Sequence, residues 1–205
     1  MRTPCQRDPI RMPPAKTNHP ESAPQARRRL TKEKWLEEAL NLLEKRGPAQ
    51  MNIDSLTSSM GVTTGSFYHH FKSHNKFLEE LTDKYIRDYT TVVEEHISTL
   101  ELPARDRLIE AMRLIITSSL GGMDVHFRAL AMAHPHIAVK IREMDDFRTN
   151  VIKGLFEATG YRDDELLTRV HVFVVTHSME ALVSTTLTPE DRLRLFDERV
   201  KLLID

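Results

Sequence analysis

The stretch Ile53-Asp54-Ser55-Leu56-Thr57-Ser58-Ser59-Met60-Gly61-Val62-Thr63-Thr64-Gly65-Ser66-Phe67-Tyr68-His69-His70-Phe71-Lys72 decides the fold. Asn52, just before it, can cap a helix with its side-chain oxygen. Ile53, Leu56 and Met60 recur at helical spacing and make a buried face. Gly61 suits the left-handed conformation that ends such a helix, and Val62 returns the chain to the core. Thr63 can cap a second helix running to about His70. Phe67 and Phe71 point inward from it, leaving Thr64, Gly65, Ser66, Tyr68 and His69 outside. The outer face is small and polar at its start, then aromatic and basic. Small residues permit close approach to a DNA major groove, and the later donors reach bases and phosphates.

Working outward, Thr31 can cap a helix over Lys32–Arg46, ended by Gly47-Pro48. Its inner face is Trp35, Leu36, Ala39, Leu42 and Leu43. Trp35 could stack on a ligand, but its register with this stripe makes it a core residue. Residues 1–26 hold Pro4, Pro9, Pro13, Pro14, Pro20 and Pro24 without apolar periodicity and read as a disordered basic, Pro-rich arm. Before residue 35 nine Lys and Arg face only Asp8, Glu21 and Glu33, although the formal net charge of all 205 residues is −1. A solvated tail would explain this; beside the helix–turn–helix it fits an end that meets DNA and a body that does not.

Three parts at matching spacing make the chain resemble the TetR (tetracycline-repressor) family over about Arg29 to Leu81. They are Trp35-Leu36…Ala39…Leu42-Leu43…Gly47, Ile53…Leu56…Met60-Gly61-Val62, and Phe67-Tyr68-His69-His70-Phe71-Lys72-Ser73. The resemblance implies an all-α protein: a three-helix DNA-binding head over 27–76, and a larger bundle over 77–205 for ligand binding and dimerisation. It implies that Tyr68, His70 and Lys72 hold phosphates while Thr64, Gly65 and His69 approach base edges. Arg28, Arg29, Thr63 and Ser66 complete the expected contact set. His74 stands where family members commonly carry a phosphate-binding Lys, so that contact is weaker or pH-dependent here.

Beyond the head Ser73 can cap a fourth helix whose apolar period runs to Leu100; about 25 residues would span roughly 38 Å. Five more follow: Arg105–Leu120, ended by Gly121-Gly122, then Asp124–Ala133, His136–Ala158, Asp164–Thr186 and Pro189–Ile204. The total is about nine helices, with no strand pattern.

The body is rich in Met and Phe, which make adaptable apolar walls but also ordinary core. The residues expected to meet a small, largely apolar effector are Met112, Ile116, Phe127, Met132, Phe147, Phe173 and His177. The alternative for His177 is a hydrogen-bonded core histidine. The expected dimer interface is Leu166, Val170, Phe173, Val174, His177, Leu193, Phe196 and Val200, with a four-helix contact between two copies.

No catalytic residue, metal site or cofactor is expected. There is no phosphate loop, no Gly-x-Ser-x-Gly and no His-Glu-x-x-His. Glu94-Glu95 and Asp145-Asp146 are adjacent and point to different sides of a helix. Cys5 is the only cysteine, and the N-terminus lacks a signal peptide's apolar core, so a cytoplasmic setting without membrane contact is expected. The resemblance implies a ligand-responsive regulator, a homodimeric repressor released from a palindromic double-stranded operator by a small, largely apolar effector. The alternatives are an all-helical metal-dependent enzyme using body histidines, and a constitutive DNA-binding protein without an effector.

Overall fold

The computed structural model describes residues 30–93, 95, 97, 99–117, 120–183 and 187–205. Among these residues there are ten α-helices, one 3-10 turn and no strand. The arm over 1–26, together with Arg28 and Arg29, lies outside the described residues.

The head is α1 (Lys32–Arg46), α2 (Ile53–Met60) and α3 (Thr64–His70), with a 3-10 turn over Pro48–Gln50. The caps are local and each follows from its residue. Thr31 Oγ1 accepts the Lys34 N–H at 3.2 Å, and Asn52 Oδ1 accepts the Ser55 N–H at 2.9 Å. Gly61 takes φ 66° and ψ 35°, the left-handed region, and the Val62 N–H closes on the Thr57 carbonyl. Fully buried Trp35 meets Phe67 and Phe71 edge-on, at centroid separations of 5.7 and 6.2 Å. Trp35 is therefore the centre of the head's core.

Helix α4 (His74–Val93) links head and body. Phe77, one residue past the expected 76/77 boundary, packs on Phe71 at 5.0 Å and so belongs to the head's core. Further along, Tyr85 stacks on Phe127 of the body at 4.3 Å, with the rings nearly parallel. The α-helical part is described to Val93, and beyond it Glu95 and Ile97 take wider π-helical geometry.

The body continues through α5 (Ala104–Thr117), α6 (Leu120–Ala133), α7 (Pro135–Ala158), α8 (Asp163–Val183), α9 (Pro189–Arg194) and α10 (Phe196–Leu203). Helices α6, α7 and α8 pack on one another, and α4 and α5 lie against α7. Three boundaries differ from the sequence expectation. Gly121 and Gly122 lie within the described part of α6 rather than ending α5. His134 is the N-cap of α7, and Pro135 takes the first helical position, which needs no N–H donor. The expected last helix is two, divided at Leu195 (φ −88°, ψ 6°). That bend lets Arg199 of α10 reach Glu180 of α8 through both carboxylate oxygens.

Candidate nucleic-acid interface and body cavity

Helix α3 is held from behind and bare in front. Phe67 is fully buried, while Thr64, Gly65, Tyr68 and His69 are exposed, and Ser66 and His70 are half-buried. Thr63 is exposed and already committed as the cap, accepting the Ser66 N–H at 3.3 Å. Tyr68 stands over half exposed, with its ring edge against Phe67 at 5.3 Å. A Cβ on Gly65 would meet only Thr63 Oγ1, at an ordinary 3.7 Å. Nothing among the described residues demands glycine there, so its bareness matters only to something arriving from outside.

Charge around α3 is sorted in the same way. Lys32, Lys76 and Lys84 are tied to Glu80, Glu79 and Glu33 at 2.6, 2.7 and 2.7 Å. Exposed Lys72 has no ion pair among the described residues and can meet an external anion. His74 stands at the start of α4, beside Thr64 and Tyr68 on the rim of a surface depression. It is half-buried, one ring nitrogen is bonded to the Met51 carbonyl, and its ring lies 6.3 Å from that of His134. It fastens α4 to the turn before α2. A phosphate contact would have to use a ring already engaged.

The second feature is a cavity of about 40 Å³ in the body. Tyr89, Val93 and Ile97 line it from α4 and the turn after it, Ala111, Leu114 and Ile115 from α5, and Phe173, Val174 and His177 from α8. Asp124, Arg148, Ile152 and Ser178 complete the wall. Of the seven residues expected to meet an effector, only Phe173 and His177 are among them. Met112 and Phe127 are fully buried in the core, and Ile116 and Phe147 pack against that core. Met132 is 90% exposed, on the outside of α6. A residue's inward register shows that it faces the interior, not that the interior beside it is empty.

The polar part of the wall is absent from the sequence expectation. Arg148 grips Asp124 through two bonds, Nη1–Oδ2 at 3.0 Å and Nη2–Oδ1 at 3.1 Å, and donates to Ser178 Oγ at 2.7 Å. Asp124 also accepts from Tyr85 at 3.3 Å and from Arg128 Nε at 3.1 Å. Arg128 in turn holds Asp145 in a fork. Burial and the nearby Asp124 carboxylate push the Tyr85 phenol well above its usual range, so it stays a neutral donor. An Asp and an Arg both facing inward on apolar helices were the available signal.

The expected interface residues mostly belong to the monomer's own core. Leu166, Val170, Phe173, His177, Phe196 and Val200 are buried within the chain, and Val174 packs against that core. The apolar residues left outside on α8 are Leu167, Val172, Val175, Leu182 and Val183, with Leu193 on α9. Helix α8 is apolar on both sides. Its 3.6-residue period therefore does not show which side the monomer covers.

No helix among the described residues is long and apolar enough to cross a membrane. None of the histidines among those residues is gathered with two further ligand-type side chains in a way that could hold a metal ion.

Comparison with known proteins agrees with this geometry. Residues 36–81 match the family model described as bacterial regulatory proteins, tetR family. A transcriptional regulator from Rhodococcus sp. Rha1 superposes with a TM-score of 0.70 at 15% identity, over 85% of this chain and 96% of that one. AibR, solved with isovaleryl coenzyme A and operator DNA, gives 0.65 at 16% identity, over 84% and 97%. A regulator from Saccharomonospora viridis, solved with choline, gives 0.67 at 16%, over 83% and 95%. No curated protein sequence matches the chain significantly. The chain thus carries, over residues 36–81, the helix–turn–helix segment of the tetR family model, and along the body it shares the fold of these solved regulators.

Proposed function

We propose that the protein is a homodimeric repressor that leaves its operator when a small molecule enters the body cavity. The carrying observation is that α4 belongs to both ends of the molecule. Phe77 sits in the core behind the exposed α3, and Tyr89 and Val93 of the same helix line the cavity. A ligand that enlarges the cavity pushes on α4 and so on the head. Two heads on one duplex must meet successive major-groove faces about 34 Å apart, so a small change in their separation costs much affinity.

On this reading Thr64, Gly65 and His69 face base edges, and Tyr68, His70 and Lys72 hold phosphates, with Arg28 and Arg29 supplying further charge. Thr63 and Ser66 support the start of α3. The head reaches past Phe77 into α4, and the body binds ligand and partner. Val172, Val175 and Leu182 present the apolar side of α8 to its copy across a two-fold axis. The protein works in the cytoplasm and performs no catalysis. AibR was solved with both an acyl-coenzyme A and operator DNA, which supports the two-ligand scheme by analogy of fold. The test is to select a binding site from random duplexes and then measure its affinity as candidate effectors are added. An effector that weakens binding supports the proposal. A selected site whose affinity no cavity ligand alters contradicts the ligand-responsive part.

A further inference from the structure

We propose that the body cavity takes a small, uncharged, mostly apolar molecule carrying one hydroxyl group, which donates its proton to His177 Nε2. This deepens the effector reading above and rests on it for its regulatory meaning only.

The His177 ring sets the chemistry. Its Nδ1 lies 2.7 Å from the Phe173 carbonyl oxygen. A carbonyl only accepts, so Nδ1 carries the proton. The residue is 4% exposed, and burial holds its pKa below the usual histidine value. The ring is therefore neutral near pH 7, and Nε2 presents a bare lone pair. That atom is buried and has no hydrogen-bond partner among the described residues, and the residue lines the cavity. An unmet buried acceptor is costly, and a ligand donor that meets it gains accordingly.

The rest of the wall decides what else the ligand carries. Val93, Ile97, Leu114, Ile115 and Phe173 ask for hydrocarbon. The charges are already balanced: Asp124 and Asp145 stand against Arg128 and Arg148, all in mutual contact. An added carboxylate finds no uncompensated cation on this wall and places its own lone pairs against that of Nε2. A ketone or ether gives Nε2 nothing to accept. Arg148 Nε is also buried without a partner among the described residues, so the wall offers a donor as well as an acceptor. A hydroxyl is the smallest neutral group that gives Nε2 a proton to accept and keeps an oxygen able to accept in turn. The space is small, about 40 Å³, and half-buried Leu114, Ile115 and Val174 on its wall leave room for it to widen.

The test is isothermal titration of the full chain near neutral pH with cyclopentanol, cyclopentanone and cyclopentanecarboxylate. Cyclopentanol should bind about tenfold more tightly than the ketone, the worth of one buried hydrogen bond. His177→Leu should bring that ratio to about one. Should the variant fail to fold, nitrogen-15 histidine spectra of the unaltered protein replace it: the His177 Nε2 resonance should move with the alcohol and not with the ketone. Equal affinities, preference for the ketone or the carboxylate, or no binding of any probe at millimolar concentration would each overturn the proposal. The same samples are titrated with the selected operator. Selective alcohol binding that leaves DNA affinity unchanged upholds the cavity chemistry and contradicts the effector reading instead.

Discussion

Arg148 and Asp124 face each other across α7 and α6 with two parallel bonds of 3.0 and 3.1 Å, inside the body and on the cavity wall. Tyr85 of α4 donates to the same carboxylate, so three helices meet at one buried charge pair. Removing one member of such a pair leaves the other charge buried and unpaired. Asp124→Ala should therefore lower unfolding free energy by about 3–5 kcal/mol, read by urea denaturation. Asp124→Leu with Arg148→Met should recover most of that loss. A single substitution costing less than about 1 kcal/mol, the scale of a surface pair, would show that the pair is solvated.

Two glycines at the helix–turn–helix should behave in opposite ways. Gly61 has φ 66°, and a Cβ added there would meet only open space, so Gly61→Ala costs about 1 kcal/mol in backbone strain alone. Gly61→Asn should cost less, because Asn tolerates the left-handed region. Gly65 has ordinary helical backbone and room for a side chain. Gly65→Gln should leave thermal stability within about 0.5 kcal/mol, as exposed substitutions usually do. It should nonetheless weaken operator binding at least about tenfold, a loss of roughly 1.4 kcal/mol. Equal operator affinity for Gly65→Gln and the unaltered protein would remove α3 from the groove.

Stability should fall on mild acidification. Burial lowers the pKa of both His134 and His177 in the folded state, and the neighbouring His136 and His74 add to the effect at His134. The unfolded chain then binds protons more readily than the folded one. The contribution is fully present above the unfolded value of about 6.5 and is lost as pH falls through the lower folded values. The urea midpoint should drop between pH 7.5 and about 5.5, and His177→Leu should flatten that drop. Glu180, held down by its bond to Arg199, acts in a separate and more acid window, below about 4.5. A midpoint constant down to about pH 5.5 would contradict neutral burial of these rings.

Sedimentation should report a dimer at micromolar concentration. Val175→Glu and Leu182→Glu, on the exposed side of α8, should dissociate it while the far-ultraviolet spectrum stays helical. Phe173→Glu should instead unfold the body, because Phe173 is 1% exposed within the chain. A dimer that survives both outer substitutions would put the interface elsewhere.

The head is legible in the sequence because its signals are local. Asn52, Gly61 and Thr63 each act within four residues, and Trp35, Phe67 and Phe71 declare one core through spacing. The body is legible only as helices. The Arg148–Asp124 pair spans 24 residues and two helices, and nothing local announces it. The bond from His74 to the Met51 carbonyl likewise spans 23 residues and has no local signal. The bend at Leu195 is hidden because Leu193, Phe196, Val200 and Leu203 keep an unbroken helical spacing.

The most direct test of the central claim is fluorescence anisotropy of the full chain on its selected operator across a salt series. Lys72→Ala should weaken specific and nonspecific duplexes alike and reduce the slope of log affinity against log salt by about one. His69→Ala and Thr64→Ala should leave that slope nearly unchanged and relax preference at one or two base pairs in each half-site. An unchanged affinity and slope for Lys72→Ala, with base preference untouched by His69→Ala and Thr64→Ala, would contradict DNA reading by α3.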